Sequence, residues 1–156
     1  MGKYAIGVTA FTTPTGTADT AASIEAAAGE AAEVVELIMT GSGTTTAADT
    51  MHRAVAALCD FTTQGTAGAS PTPEKFNQAA NASLMSADIE YTAEPTNINT
   101  VELLTFGFNQ RGGMRWAVPQ GEGIAIRGND TEKGVVWTVI SAAAGAVDGA
   151  MHWWEP

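Results

Sequence analysis

Residues 101–156, VELLTFGFNQRGGMRWAVPQGEGIAIRGNDTEKGVVWTVISAAAGAVDGAMHWWEP, contain five short apolar segments separated by turn sequences. The segments are 101–108, 114–119, 124–128, 135–144 and 150–156. Apolar residues alternate within them and glycine lies in each connection, which is typical of β-strands joined by short turns. Because no connection leaves room for a crossover helix, this stretch predicts an antiparallel sandwich or barrel.

The glycines of this stretch raise the question of a phosphate-binding loop. They occur as RGG at 111–113 and as GEG at 121–123. A dinucleotide or P-loop fingerprint needs a specific glycine spacing that opens a helix, with Lys and Ser or Thr in the P-loop case. Here the glycines lie between strands, so turn chemistry is the better interpretation.

Two earlier segments fit both a helix and a strand. Residues 23–40 are rich in Ala and Glu, but Gly29 interrupts them and EVVELIMT at 33–40 is β-branched and apolar, so we predict two strands, 23–28 and 31–40. Residues 51–61 have helical spacing and alternate equally well, and the FTTQGT at their end favours a strand. With a first strand near the N-terminus, the count reaches eight or nine strands.

The predicted fold class is all-β: an antiparallel single jelly-roll β-sandwich with a long Gly/Pro-rich loop. At 156 residues the chain is most simply one domain, 1–156. Residues 1–20 form an N-terminal strand and arm, and residues 62–86 form a long loop excursion rich in Gly, Ser and Pro. A loop of that length inside a compact domain usually has a function or a partner.

Composition and charge exclude several classes of function. The net charge is −10, which argues against nucleic acid as a partner because phosphate binding needs clustered Lys and Arg. No segment reaches transmembrane length, so no membrane partner is predicted. The single cysteine, Cys59, forbids an internal disulfide, and its apolar setting AVAALCDF favours a buried structural thiol over a nucleophile.

The sequence contains no recognisable catalytic or metal-binding constellation. A metal-dependent jelly roll of the cupin type requires clustered histidines and a carboxylate, whereas His52 and His152 are alone on separate predicted strands. No arrangement of Ser, His and Asp for nucleophilic catalysis is visible either. We therefore expect no enzymatic activity and no cofactor or metal.

The tryptophans are the informative side chains. Trp153 and Trp154 are adjacent in one predicted strand and must point to opposite faces, so both cannot enter the same core. The outward ring is covered by a loop, paired with a partner chain or displayed to a ligand, and we favour a partner because Trp is enriched at interfaces. The arginines of the region could pair with the chain's own glutamates or with a neighbour's. The candidate interface residues are Trp153, Trp154, Arg111, Arg115, Trp116 and Arg127.

The motif pair FNQRGGMRWAVPQGEGIAIRG and GAMHWWE resembles a family of small virion proteins of tailed bacteriophages. In that family a strand ending in an NQR turn precedes an aromatic RW strand, a Pro/Gly turn follows, and a closing strand carries His, an aromatic residue and Glu. The upstream segments AEVVELIMTGSG, TPEKFNQAANAS and YTAEPTNINT fall where the pattern places a strand and turn, a Pro/Lys loop and an EPT strand. The resemblance covers most of residues 20–155 and does not extend to residues 1–20.

The resemblance implies a capsid decoration or cement protein that binds the phage head and stabilises its shell. Members are jelly-roll sandwiches, typically homotrimers, and their partner is the major capsid protein. The implied location is the outer surface of the head, after synthesis in the host cytoplasm. The alternatives are a head-fibre or tail-associated virion protein, a carbohydrate-binding β-sandwich module with an exposed Trp, and a cupin-like enzyme with a bound metal.

Overall fold

The computed structural model describes residues 1–42, 49–96 and 98–156, and these residues form eleven β-strands. No helix in these ranges is long and apolar enough to cross a membrane. The strands are β1 (Gly2–Thr13), β2 (Asp19–Ala26), β3 (Ala31–Gly41), β4 (Met51–Cys59), β5 (Glu74–Lys75), β6 (Met85–Ile89), β7 (Ile98–Asn109), β8 (Gly113–Ala117), β9 (Ile124–Arg127), β10 (Gly134–Ser141) and β11 (Gly145–Glu155).

The strands form two antiparallel sheets that pack as a sandwich, which confirms the predicted all-β fold class. The first sheet has the order β5-β1-β11-β3-β8, with β9 also paired to β3, and the second has the order β6-β2-β10-β4-β7. The long strands pair as nested partners: β1 with β11, β2 with β10, β3 with β8 and β4 with β7. This nested order is compatible with the jelly roll, which stays a prediction.

Strands were the correct choice in both ambiguous segments. The first segment turns at Gly29, whose φ of +88° favours glycine, and β3 begins at Ala31 as predicted. The predicted first strand, 23–28, was wrong at its start, because β2 begins at Asp19 and already buries Thr20. The small residues there carry little strand signal, and their pairing with β10 extends the strand. Residues 51–59 form β4, whose last residue, Cys59, is buried as predicted.

The main core lies between the sheets and is formed largely by alternate side chains of the long strands, while β2, β4 and β10 are buried at consecutive positions as well. Trp137 from β10 and Trp153 from β11 are its largest members, 1% and 0% exposed. The Trp153 ring stacks on Tyr4 from β1, with ring centroids 6.2 Å apart. The period-two alternation of the sequence therefore predicts the core positions of these strands.

The loop excursion is held along one side of the sandwich by buried carboxylates. Asp88 of β6 accepts hydrogen bonds from Gln64 Nε2 at 3.1 Å and from the hydroxyl of Ser70. Glu155 of β11 accepts from the hydroxyl of Ser83 and, at 2.9 Å, from the backbone N–H of Leu84. Both carboxylates belong to residues less than 9% exposed. The excursion thus closes the side of the sandwich where β1 and β6 lie, and it ends at Met85, inside the predicted 62–86.

The turn PQGEG of the opening stretch uses its backbone donors on the chain's own carboxylate. Gly121, with φ +94°, donates its N–H to the two oxygens of Glu33 at 2.7 and 2.9 Å, and Gly123 donates at 2.6 Å. Successive backbone N–H groups of this kind make an anion-binding nest. Glu33 fills that nest, which agrees with the prediction of a turn rather than a phosphate loop.

Candidate interaction surface

The two adjacent tryptophans separate as the alternation requires, and the inward one corrects an interface prediction. Trp153 is 0% exposed, and its Nε1 donates to Glu155 Oε1 at 2.8 Å. A ring enclosed in this way cannot contact a partner chain, so the assignment of Trp153 to an interface was wrong. Trp154 points outward and is half-buried on the surface of the first sheet.

Trp154 shares a shallow groove with Arg127, another predicted interface residue. The register places Trp154 opposite Glu33 of β3, and Glu33 opposite Ala125 of β9. The groove has a volume of about 190 Å³ and is also lined by Gln120 and the two chain ends. An aromatic ring beside an exposed guanidinium combines the two side-chain types most enriched at protein interfaces.

Arg115 lies on the same sheet surface, where it takes part in a compact ionic cluster around Glu36. The Glu36 carboxylate accepts from Arg115 Nε at 2.7 Å and from His152 Nδ1 at 2.7 Å, and Lys3 Nζ lies 3.4 Å away. Burial alone would raise the pKa of Glu36, but the hydrogen bonds from His152 and Arg115 outweigh it and hold the pKa at about 2. Phe76 from the excursion packs its ring against His152, with centroids 5.0 Å apart.

The rest of this surface is flat because its side chains are small. We call the outward side of β1, β11, β3, β8 and β9 the outer face. Besides Trp154 and the Glu36 cluster, it presents small residues from four strands and the half-buried Ile38, and Phe76 of the excursion lies over His152. The small residues are Ala5, Gly7, Ala117, Ala125 and Ala150. Such a face can approach another flat surface closely.

Trp116 lies elsewhere, in an apolar groove at the edge of the sandwich. The edge groove is about 500 Å³ in volume and lies between β7 of the second sheet and the β8–β9 edge of the first. Trp116 is half-buried there and packs against the core. Its large apolar lining residues are Leu58, Leu103, Leu104, Trp116, Val118 and Ile124, and Glu122, Gly123 and Ala125 complete the lining.

Arg111 does not join the outer face. It lies in the turn between β7 and β8 and pairs with Asp49 at 3.1 Å, with both side chains more than half exposed. Exposed pairs of this kind contribute little to stability. The structure therefore brings Trp154, Arg115 and Arg127 to one face, places Trp116 at the edge and leaves Arg111 in a turn.

Several exposed apolar side chains were missed by the sequence reasoning, among them Phe76 and Leu103. Phe76 is 57% exposed in the excursion, where no periodicity marks its direction. Leu103 is 42% exposed because a bulge in the pairing of β7 with β4 shifts the alternation between Ala56 and Ala57. The adjacent leucines, Leu103 and Leu104, were a possible signal, because two neighbouring apolar residues depart from strict alternation.

Within the described residues, no group of three or more His, Cys, Asp or Glu side chains could hold a metal ion. The thiol of Cys59 is buried, and this burial raises its pKa to about 11. A thiol with that pKa stays protonated at neutral pH and is a poor nucleophile. The structure thus assigns Cys59 to packing, beside Phe61 and Val136.

His52 belongs to a buried polar layer at one end of the sandwich. Its Nδ1 lies 2.5 Å from the hydroxyl oxygen of Ser141, and its ring packs 5.1 Å from that of Phe108. Nε2 has no hydrogen-bond partner among the described residues. The other buried polar residues of this end are Thr13, Ser42, Thr50, Gln110 and Ser141.

Stability should therefore fall in mild acid because of His52. Burial lowers its pKa below the usual 6.5, so the folded state binds the proton less readily than the unfolded state. The free energy of unfolding is then highest above pH 6.5 and declines as the pH falls below it. Urea denaturation between about pH 8 and about pH 5.5 measures this decline.

His52→Asn is the matched variant, because the amide can keep the bond to Ser141 without titrating. Its stability is expected to be lower overall, since the ring contact with Phe108 is lost, but flatter across the same pH interval. An equal decline in variant and wild type would show that another group causes it.

The chain matches no protein-family model and no curated protein sequence. Among solved structures, the infectious bursal disease virus VP2 subviral particle is similar with a TM-score of 0.24 and 16% identity, over 98% of this chain and 40% of that chain. The infectious bursal disease virus Gx strain structure gives a TM-score of 0.19 and 13% identity, over 97% and 40%. The chain thus spans about two fifths of these proteins. The similarity to these viral proteins is weak, and the resemblance to tailed-phage virion proteins has no family or sequence match.

Proposed function

We propose that this chain is a structural protein of a phage virion, which binds the outer surface of the head and stabilises the shell. The observation that carries the proposal is the outer face, which brings Trp154, Arg127 and Arg115 together with small residues from four strands. A flat face with an aromatic anchor and guanidinium groups suits a broad protein surface better than a small ligand. The motif resemblance given above points to the same class of protein.

The proposed mechanism is mechanical. The protein acts as a homotrimer, and each copy places its outer face on the major capsid protein. One such face contributes modest affinity, but three linked copies bind with a much higher effective affinity and without new contacts. The many contacts distributed over the shell then resist internal pressure.

Trp154→Ala is expected to weaken the head binding of each copy about thirtyfold, as the loss of an interface anchor of about 2 kcal/mol would do, and that of the trimer by more. The fold should be retained because the ring lies outside the core. Co-sedimentation of purified protein with heads that lack it measures the dissociation constant. Arg111→Ala is the control, since Arg111 is exposed in a turn apart from the outer face. Equal affinities for the two variants would remove Trp154 from the contact.

Cryo-EM of virions produced from the genome that encodes the chain tests the location directly. Density for the sandwich on the outer surface of the head is expected. Density on a fibre or on the tail would favour the alternative of a tail-associated virion protein. Specific glycan binding by the isolated protein, with no density on the particle, would favour a carbohydrate-binding module.

A further inference from the structure

We propose that the open edge of the sandwich, defined as β7 together with the edge groove, is the contact between copies of this chain. The proposal deepens the proposed homotrimer by naming the surface that joins its subunits, and it is independent of what the outer face binds. Its partner is a second copy of the same chain.

β7 is an edge strand without the usual protection against pairing. It ends the second sheet, runs for 12 residues and pairs only with β4 among the described strands. Natural edge strands are commonly short, or carry Pro, Lys or inward-pointing charges. β7 has no Pro or Lys and one charged residue, Glu102. Its Val101 and Leu103 are 63% and 42% exposed.

The neighbouring edge of the first sheet is protected. β8 and β9 lie one after the other along β3, and the loop between them contains Pro119 and is fixed to Glu33 through Gly121 and Gly123. This loop interrupts the edge, as a protective bulge does. The contrast with β7 indicates that β7 is left open for a partner.

The opposite side of the sandwich is already covered by the chain itself. The excursion bonds to β1 through Phe76, whose N–H donates to Lys3 O at 3.0 Å. It also bridges to Ile89 at the end of β6 through Ala69. The chain thus closes the side at β1 and β6 with its own residues. The side at β7 stays open and is lined by apolar side chains.

The size of the open edge fits a stable contact between subunits. A strand of 12 residues at about 3.4 Å per residue is about 40 Å long. Two sheets about 10 Å apart, with their side chains, give a width of about 20 Å. The resulting area of about 800 Å² is the share of one partner in a standard protein interface.

Charge also favours a second copy at this edge. Two chains of net charge −10 repel each other over most of their surfaces. At the open edge, the single charge of β7, Glu102, is neutralised by Arg53. β7 itself therefore presents no unpaired charge to a second copy, while two nearby carboxylates, Glu122 in the groove and Glu132 bonded to Asn99, lie beside it.

The test is the mass of the wild-type protein and of Leu103→Glu in sedimentation velocity. The wild type is expected to sediment as an oligomer of three chains, and Leu103→Glu at one third of that mass, because a carboxylate in the contact opposes apolar burial. Leu84→Glu is the matched control. Leu84 is 55% exposed beside the excursion, on the closed side, so this variant should keep the wild-type mass.

Val101→Glu provides a second variant on the same strand, should Leu103→Glu lose its β-sheet circular dichroism spectrum. A monomeric wild type at micromolar concentration would overturn the inference, as would oligomers that persist in both β7 variants. The monomeric variant should still bind heads, although more weakly because trivalency is lost. Such binding would show that head binding by the outer face does not depend on the contact between copies at β7. In that result the outer face still binds the head and β7 joins the copies.

Discussion

Trp153→Ala is expected to lower the free energy of unfolding by about 3–5 kcal/mol. Trp153 is 0% exposed, stacks on Tyr4 and donates its indole N–H to Glu155. Removing the ring leaves a cavity between β11 and the second sheet, and it leaves Glu155 without one of its donors. Urea denaturation followed by circular dichroism measures the loss as a lower midpoint with an unchanged slope.

Trp154→Ala is the control for this prediction because the two residues are adjacent and identical in type. Its ring lies on the outer face, so the expected loss of stability is below about 1 kcal/mol. Comparable losses in the two variants would mean that the ring of Trp154 is also part of the core. The pair therefore tests directly which tryptophan the fold buries.

Alternation alone predicts that one of these tryptophans is inside, but it does not predict which one. The choice depends on the register of β11 with both neighbours, where Trp153 lies opposite Tyr4 of β1 and opposite Val34 of β3. A bulge between His152 and Trp153 fixes the pairing with β3. These partners lie more than a hundred residues away in the sequence, so no local pattern contains the information.

Strand positions, in contrast, follow from local pattern. The predicted segment 124–128 corresponds to Ile124–Arg127, and the predicted strand at 114–119 to Gly113–Ala117. Their glycine-containing turns and alternating apolar residues carry that information without tertiary contacts. The fold class could thus be predicted from residues 101–156, but the order of the strands within each sheet could not.

The ion cluster on the outer face also lay beyond sequence reasoning. Glu36 and Arg115 were read as residues of two different strands, and His152 as an isolated histidine. They meet because β3 lies between β11 and β8 in the first sheet. The excursion then adds Phe76 over His152. Side chains brought together by sheet order carry no shared motif, so their site appears only in the folded structure.

Glu36→Gln is expected to cost about 3 kcal/mol of stability at neutral pH, at about 1.4 kcal/mol for each unit of pKa difference. The pKa of Glu36 is about 2 in the folded protein, against a usual value of 4.5. Because the folded pKa is the lower one, this contribution is complete above pH 4.5 and is lost as the pH falls through 2.

The comparison of Glu36→Gln with wild type should therefore show a gap in unfolding free energy that closes with acid. Other carboxylates titrate in both proteins, so the difference between the two curves isolates Glu36. Glu122→Gln, at an exposed position in the loop between β8 and β9, is the control and should follow the wild-type curve. A constant gap down to about pH 2 would show that Glu36 acts through packing and not through its charge. The hydrogen bonds from His152 and Arg115 to the charged carboxylate would then not be what stabilises this part of the outer face.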